Sequence, residues 1–148
     1  MPLKDQLLDD IKQAMRAGDK ARLKTLRMVS AAIKQREVDE RIEADDALVL
    51  ATLEKMIKQR RESAEQYRAG NRADLAENEE AEIEILQHYL PEPLSETDLE
   101  QLIDQAIAET GASGMADMGQ VMGRIKGQAQ GRADMGQVSR LVRARLAG

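Results

Sequence analysis

The chain has no cysteine, no tryptophan and no phenylalanine, and only two tyrosines among 148 residues. Without cysteine there is no disulfide framework, no thiol nucleophile and no thiolate metal site, so nothing ties the chain to an oxidising compartment. With so few rings, stacking on splayed bases is not available as a recognition mode, and a β-sandwich core lacks its usual filling. No apolar run approaches the length of a membrane span, and Lys4 and Asp5 put charge where a signal peptide needs its apolar stretch. These absences predict a cytoplasmic protein with no membrane partner. What is abundant is Leu, Ile, Ala and Met at helical spacing, which predicts an all-α fold.

The apolar stripe Leu3, Leu7, Leu8, Ile11, Ala14 and Met15 predicts a first helix to Ala17, stopped by Gly18. Asp19 can cap a second, from Lys20 to Arg41, whose apolar positions are Leu23, Leu26, Val29, Ser30, Ile33 and Val38. Its other face is cationic, with Lys20, Arg22, Lys24, Arg27, Lys34 and Arg36 preceding the acids around Glu37. A third helix is expected from the Glu43–Asp46 turn to Ala69, packed through Leu50, Leu53, Met56, Ile57, Ala64 and Tyr67. Gly70-Asn71 is its stop signal. A fourth, rich in acids, is expected from Ala73 to Leu90. Pro91-Glu92-Pro93 cannot continue a helix and marks the expected boundary between an N-terminal domain of about four helices (1–90) and a three-helix domain (91–148). In the latter, Ser95 caps a helix to Thr110 carrying Leu99, Leu102, Ile103, Ala106 and Ile107.

The remainder is built on a repeat. Ala-Asp-Met-Gly-Gln-Val occurs at Ala116 and again at Ala133, and each copy reads as the start of a short helix with its Asp, Asp117 or Asp134, as the cap. The first helix shows Met118, Val121, Met122 and Ile125 on one face; the second shows Met135, Val138, Leu141, Val142 and Leu146. Between them a loop rich in Gly and Gln, carrying Arg and Lys, is expected. Charge is segregated here: Pro91 to Met118 holds seven acids and no Lys or Arg, whereas the rest holds six bases against Asp134, in a chain of net charge −5. Arg124, Lys126, Arg132, Arg140 and Arg143 are the candidate contacts to RNA phosphates, with Lys34 and Arg36 as further candidates. Gly123, Gly127 and Gly131 would let backbone approach the ribose-phosphate chain, and Gln120, Gln128, Gln130 and Gln137 could bond to 2′-hydroxyls or base edges. The alternative is that these cations solvate the outer faces of a small bundle, and that Gly123, Gly127 and Gly131, which have close-packing spacing, make a tight helix contact or a loop. Either way, the net acidity argues against indiscriminate nucleic-acid binding, and DNA is not an expected partner.

Three features together resemble the YqeY family: Tyr89-Leu90-Pro91 before Leu94-Ser95-Glu96, the phrase Met118-Gly119-Gln120-Val121-Met122, and the ending from Gly131-Arg132-Ala133-Asp134 to Leu141-Val142. The resemblance extends to the C-terminal helical and tail region of the GatB subunit of the tRNA-dependent amidotransferase. It implies an all-helical protein in two parts with a small three-helix tail, and a role beside misacylated tRNA. It also implies the parent label of a carbon–nitrogen ligase with glutamine as amide donor. Possible partners are therefore tRNA and a component of a tRNA amidotransferase or synthetase.

The residues do not supply that ligase chemistry. Releasing ammonia from glutamine needs an activated nucleophile, and amide formation needs bound ATP phosphates. There is no G-x-S-x-G elbow and no G-x-x-x-x-G-K-[ST] loop. Ser30 and Lys34 lie one turn apart, a pairing common by chance. His88 follows Glu84 by one turn, but Glu77, Glu79, Glu80 and Glu82 spread around their helix, so no metal site is expected. The reading is a binding or docking module without a catalytic residue or cofactor of its own, its alternative a protein-docking helical adaptor for a tRNA enzyme.

Overall fold

The computed structural model describes residues 1–148 and is all-α: seven α-helices and one 3-10 turn, with no strand. The chain forms two compact units, Met1–Leu90 and Pro91–Gly148.

The first unit contains α1 (Leu3–Ala17), α2 (Lys20–Glu40), α3 (Asp46–Ala69) and α4 (Ala73–Gln87). α1 ends because Gly18 turns left-handed, with φ of 68°, a conformation glycine adopts without a Cβ penalty. Asp19 starts α2 by accepting from the Arg22 N–H at 3.2 Å, and Asp45 starts α3 by accepting from the Leu48 N–H at 2.9 Å. After α3 the left-handed residue is Asn71, with φ of 60°, while Gly70 is not left-handed. α4 packs against α3 and α1 against α2. Leu7, Leu26, Val29, Ile33, Val49, Leu53, Met56, Ile57, Leu86 and Tyr89 form the core.

Three departures from the expected pattern stand out. Leu8, Met15 and Val38, assigned to apolar stripes, are exposed, Val38 by 65%. Arg60, in a charged run, is buried instead; its Nε donates to Glu82 Oε2 at 2.8 Å and its Nη1 to the Met56 carbonyl at 3.2 Å. α4 stops at Gln87, not Leu90. Tyr89 and Leu90 donate to the Leu86 and Gln87 carbonyls in tightened turns, because Pro91 disfavours helical geometry in the residue before it. That turn places the Tyr89 hydroxyl 2.5 Å from Asp10 Oδ2, and Asp10 also pairs with Arg22 at 3.6 Å. Burial first, then the Asp10 carboxylate, pushes the phenol up to about 12.

The second unit contains α5 (Glu96–Thr110), the turn Met115–Asp117, α6 (Met118–Ala129) and α7 (Met135–Ala147). Ser95 caps α5 by accepting from the Asp98 N–H at 3.1 Å. Leu99, Ile103, Ala106, Val121, Ile125, Ala129, Val138 and Val142 are the buried core, with Met118, Met122 and Met135 packed at its edge. The segment before α5 is tied down through backbone: the Leu94 N–H donates to the Arg132 carbonyl at 2.8 Å.

Candidate nucleic-acid interface

The stretch between the repeats, expected as a loop, is mostly helix. Met118 to Ala129 is one continuous α-helix, and only the residues from Gln130 to Asp134 connect it to α7. Val121, Ile125 and Ala129 face inward. At 100° per residue this turns Gly119, Gly123 and Gly127 outward along one line, flanked by Gln120 and Arg124 on one side and Lys126 on the other. A Cβ built on any of these three glycines meets nothing within 4 Å. Their spacing is therefore not that of a tight helix contact within this unit. Gly131 differs: it is buried with φ of 81°, so the turn itself requires glycine there and its backbone is not offered to a ligand.

The two copies of the repeat are used differently. Asp134 caps α7, its Oδ1 accepting from the Gly136 N–H at 3.1 Å. Asp117 makes no such forward bond to α6. Its Oδ2 reaches back to the N–H of Ser113 at 2.9 Å and of Gly114 at 3.4 Å, bracing the 3-10 turn. The cause is local: Asp117 has αR-side geometry, φ −92° and ψ 0°, inside a turn already wound by the Asp117 N–H to Gly114 carbonyl bond of 3.0 Å.

The cations divide into engaged and unengaged groups. Arg124 Nη1 lies 2.9 Å from Glu109 Oε2, and Arg145 pairs with Asp104, so α5 neutralises one cation on each neighbouring helix. Arg132 is half-buried and its Nε donates to the Glu92 carbonyl at 2.9 Å, a structural tie to the segment before α5. Lys126, Arg140 and Arg143 are exposed and enter no ion pair. Gln128 is exposed on α6 as well. Core positions Val138 and Val142 turn Gly136, Arg140 and Arg143 to the outer face of α7. Glu109 and Asp104 were not singled out by the sequence, since their partners lie on other helices and no local spacing signals such pairs.

Elsewhere, Arg36 pairs with Glu40 at 2.7 Å, whereas Lys34 is exposed and unpaired. Ser30 and Lys34 share no hydrogen bond; the His88 ring meets Tyr89 edge-on at 5.5 Å. No group of three or more His, Asp and Glu side chains converges.

These features define an all-helical protein of two units, the smaller one built on a twice-used helix-start phrase with an outward glycine line. The chain belongs to the YqeY-like family, whose model, described as Yqey-like protein, matches residues 4–146. It is 33% identical over 129 residues to altered inheritance of mitochondria protein 41, mitochondrial, of Pyrenophora tritici-repentis, covering 84% of this chain and 71% of that one. It is 38% identical over 106 residues to the protein of the same name from Lachancea thermotolerans, covering 70% of this chain and 57% of that one. An uncharacterized protein of Schizosaccharomyces pombe is 34% identical over 93 residues, 63% of this chain and 72% of its own. The chain thus spans between about half and three quarters of the length of these relatives. No helix is long and apolar enough to cross a membrane.

Proposed function

We propose that the protein is a tRNA-binding accessory module related to the tRNA-dependent amidotransferases, without autonomous catalysis, and that its C-terminal unit rests the outer faces of α6 and α7 on the RNA backbone. The observation that carries this reading is the line Gly119, Gly123 and Gly127. Gly123 and Gly127, in the interior of α6, each cost about 1 kcal/mol relative to alanine, and side chains added at any of the three would meet nothing within the protein. A helix that gives up that stability on its solvent face gains closeness to something outside. Bare helix backbone flanked by Lys126 and Gln120 suits a ribose-phosphate chain, which offers oxygen acceptors and 2′-hydroxyls rather than apolar surface. Lys126, Arg140 and Arg143 supply charge that no internal carboxylate satisfies. The compartment proposed for this chain is the cytoplasm; the names of two of the fungal relatives place those proteins in mitochondria.

The test is the affinity of the purified full-length protein for bulk tRNA at low and moderate salt. Binding should weaken steeply with salt, and Lys126→Glu/Arg143→Glu should reduce both the affinity and the salt slope. Gly123→Leu/Gly127→Leu should weaken binding while leaving the helix at least as stable. No binding of the wild type at low salt, or glycine variants that bind unchanged, would refute the proposal.

A further inference from the structure

A second charged surface lies on the first unit. Between Lys20 and Arg36, α2 contains six cations and no acid. Arg22 and Arg36 are spoken for by Asp10 and Glu40. The other four, Lys20, Lys24, Arg27 and Lys34, are exposed, enter no ion pair and share the outer face of α2 over about 21 Å of helix. Their placement opposes the helix itself: the first turn of α2 holds no acidic residue, and Lys20 and Lys24 sit near the end where the helix dipole disfavours positive charge.

The same face is apolar between its charges. Lys20, Leu23, Lys24, Arg27, Met28 and Ala31 line a shallow groove. Met28 is 41% exposed, and Met15 of α1, 54% exposed, sits beside the groove with its sulfur 3.7 Å from Arg27 Nη2. One turn beyond the groove's neighbour Lys34 lies the exposed Val38. The Met28 sulfur lies 3.7 Å from Arg60 Nη2, yet a phosphodiester chain would leave the exposed apolar surface of the methionines and Val38 uncovered, and the face carries no ring for a base to stack on. Cations alternating with flexible apolar side chains instead complement a helix that has an apolar ridge with carboxylates beside it.

We infer that the outer face of α2 is a docking surface for an acidic amphipathic helix of a protein partner, whose ridge lies against Leu23, Met28 and Ala31 and whose carboxylates meet Lys20, Lys24, Arg27 and Lys34. The site is on a different unit from the proposed RNA-binding face and does not rest on that reading.

The test uses the full-length protein and a fluorescein-labelled synthetic peptide of about 18 residues, roughly five helical turns, with leucines at helical spacing and glutamates on both flanks. Saturable, salt-sensitive binding is expected. It should weaken at least about tenfold in Lys24→Glu/Arg27→Glu and in the separate variant Lys20→Glu/Lys34→Glu, whose side chains enter no ion pair in the fold. Replacing the peptide's leucines by serine should abolish binding, whereas Lys126→Glu/Arg143→Glu should leave it unchanged. Circular dichroism should give all variants wild-type helicity. Absence of saturable binding, or binding indifferent to both α2 variants, overturns the inference. So does loss of tRNA affinity in the α2 variants without peptide binding, which makes the face an RNA surface. A concentration-dependent dimer in sedimentation that the α2 variants dissolve also overturns it, because the occupant is then a second copy of the chain.

Discussion

Arg60 carries more of the first unit than its surroundings in the chain suggest. Its guanidinium is buried, bonded to Glu82 and to the Met56 carbonyl, so α3 and α4 meet through a charge pair whose Arg60 side is shut off from water while the Glu82 side chain stays 24% exposed. Removing one partner strands the other: Arg60→Ala should cost about 3 kcal/mol in urea denaturation, whereas Arg60→Met/Glu82→Leu should recover most of that loss. A double variant no more stable than the single one would show that the pair does not act as a unit. The spacing Leu53, Ile57, Arg60, Ala64 contains the signal for this burial, since it follows the core period; residue type, amid Lys58 and Arg61, hides it. Tyr89 is the second such residue. Its phenol is pushed up to about 12 by burial and by Asp10. Because the folded value lies above the ordinary value of 10.0, the neutral phenol favours the folded state. That stability is fully present below pH 10 and is lost as pH rises towards 12. Ultraviolet titration should show one tyrosine ionising late, and Tyr89→Phe should remove that component.

At the level of the helix, α6 spends stability where no internal contact asks for it. Gly123→Ala and Gly127→Ala should each stabilise the protein, by about 1 kcal/mol, measured as a rise in the C-terminal unit's melting temperature. A fall would mean that these glycines serve the fold. The caps carry a second prediction: Asp134→Ala should cost about 1 kcal/mol through loss of the bond to Gly136. Helix positions were largely legible in the chain, because Gly18, Asp19, Ser95 and the apolar period mark them directly. What escaped was the use of identical phrases in different ways. Asp117 and Asp134 stand in the same six-residue wording, yet the preceding Gly114-Met115-Ala116 winds a 3-10 turn and draws Asp117 backwards, while Gly131 breaks the chain and leaves Asp134 extended. The outward direction of the α6 glycines was legible only once Val121, Ile125 and Ala129 had fixed which side is buried. Two of the five candidate cations of the tail were likewise altered in meaning by partners distant in sequence: Glu109 for Arg124 and the Glu92 carbonyl for Arg132.

For the whole molecule, the all-helical class follows from aliphatic side chains at one period, and two separate cores set how the chain should unfold. The first unit closes around Leu26, Leu53 and Leu86; the second, shorter, closes around Ile103, Ile125 and Val142. A smaller unit buries a smaller fraction of its unfolded surface and is the less stable for it. The second also carries four exposed helix glycines, Gly119, Gly123, Gly127 and Gly136, and no disulfide. Calorimetry of the full chain should therefore resolve two transitions, the lower from the C-terminal unit. The assignment is made by cavities: Ile125→Ala should lower only the first transition and Leu53→Ala only the second, each side chain being fully buried and worth about 3 kcal/mol on truncation. If both substitutions shift a single shared transition, the two cores unfold as one. Saturating tRNA should then raise the lower transition alone, since a ligand stabilises the unit it binds in proportion to its occupancy. A rise confined to the upper transition would move the RNA-binding site to the N-terminal unit and away from α6.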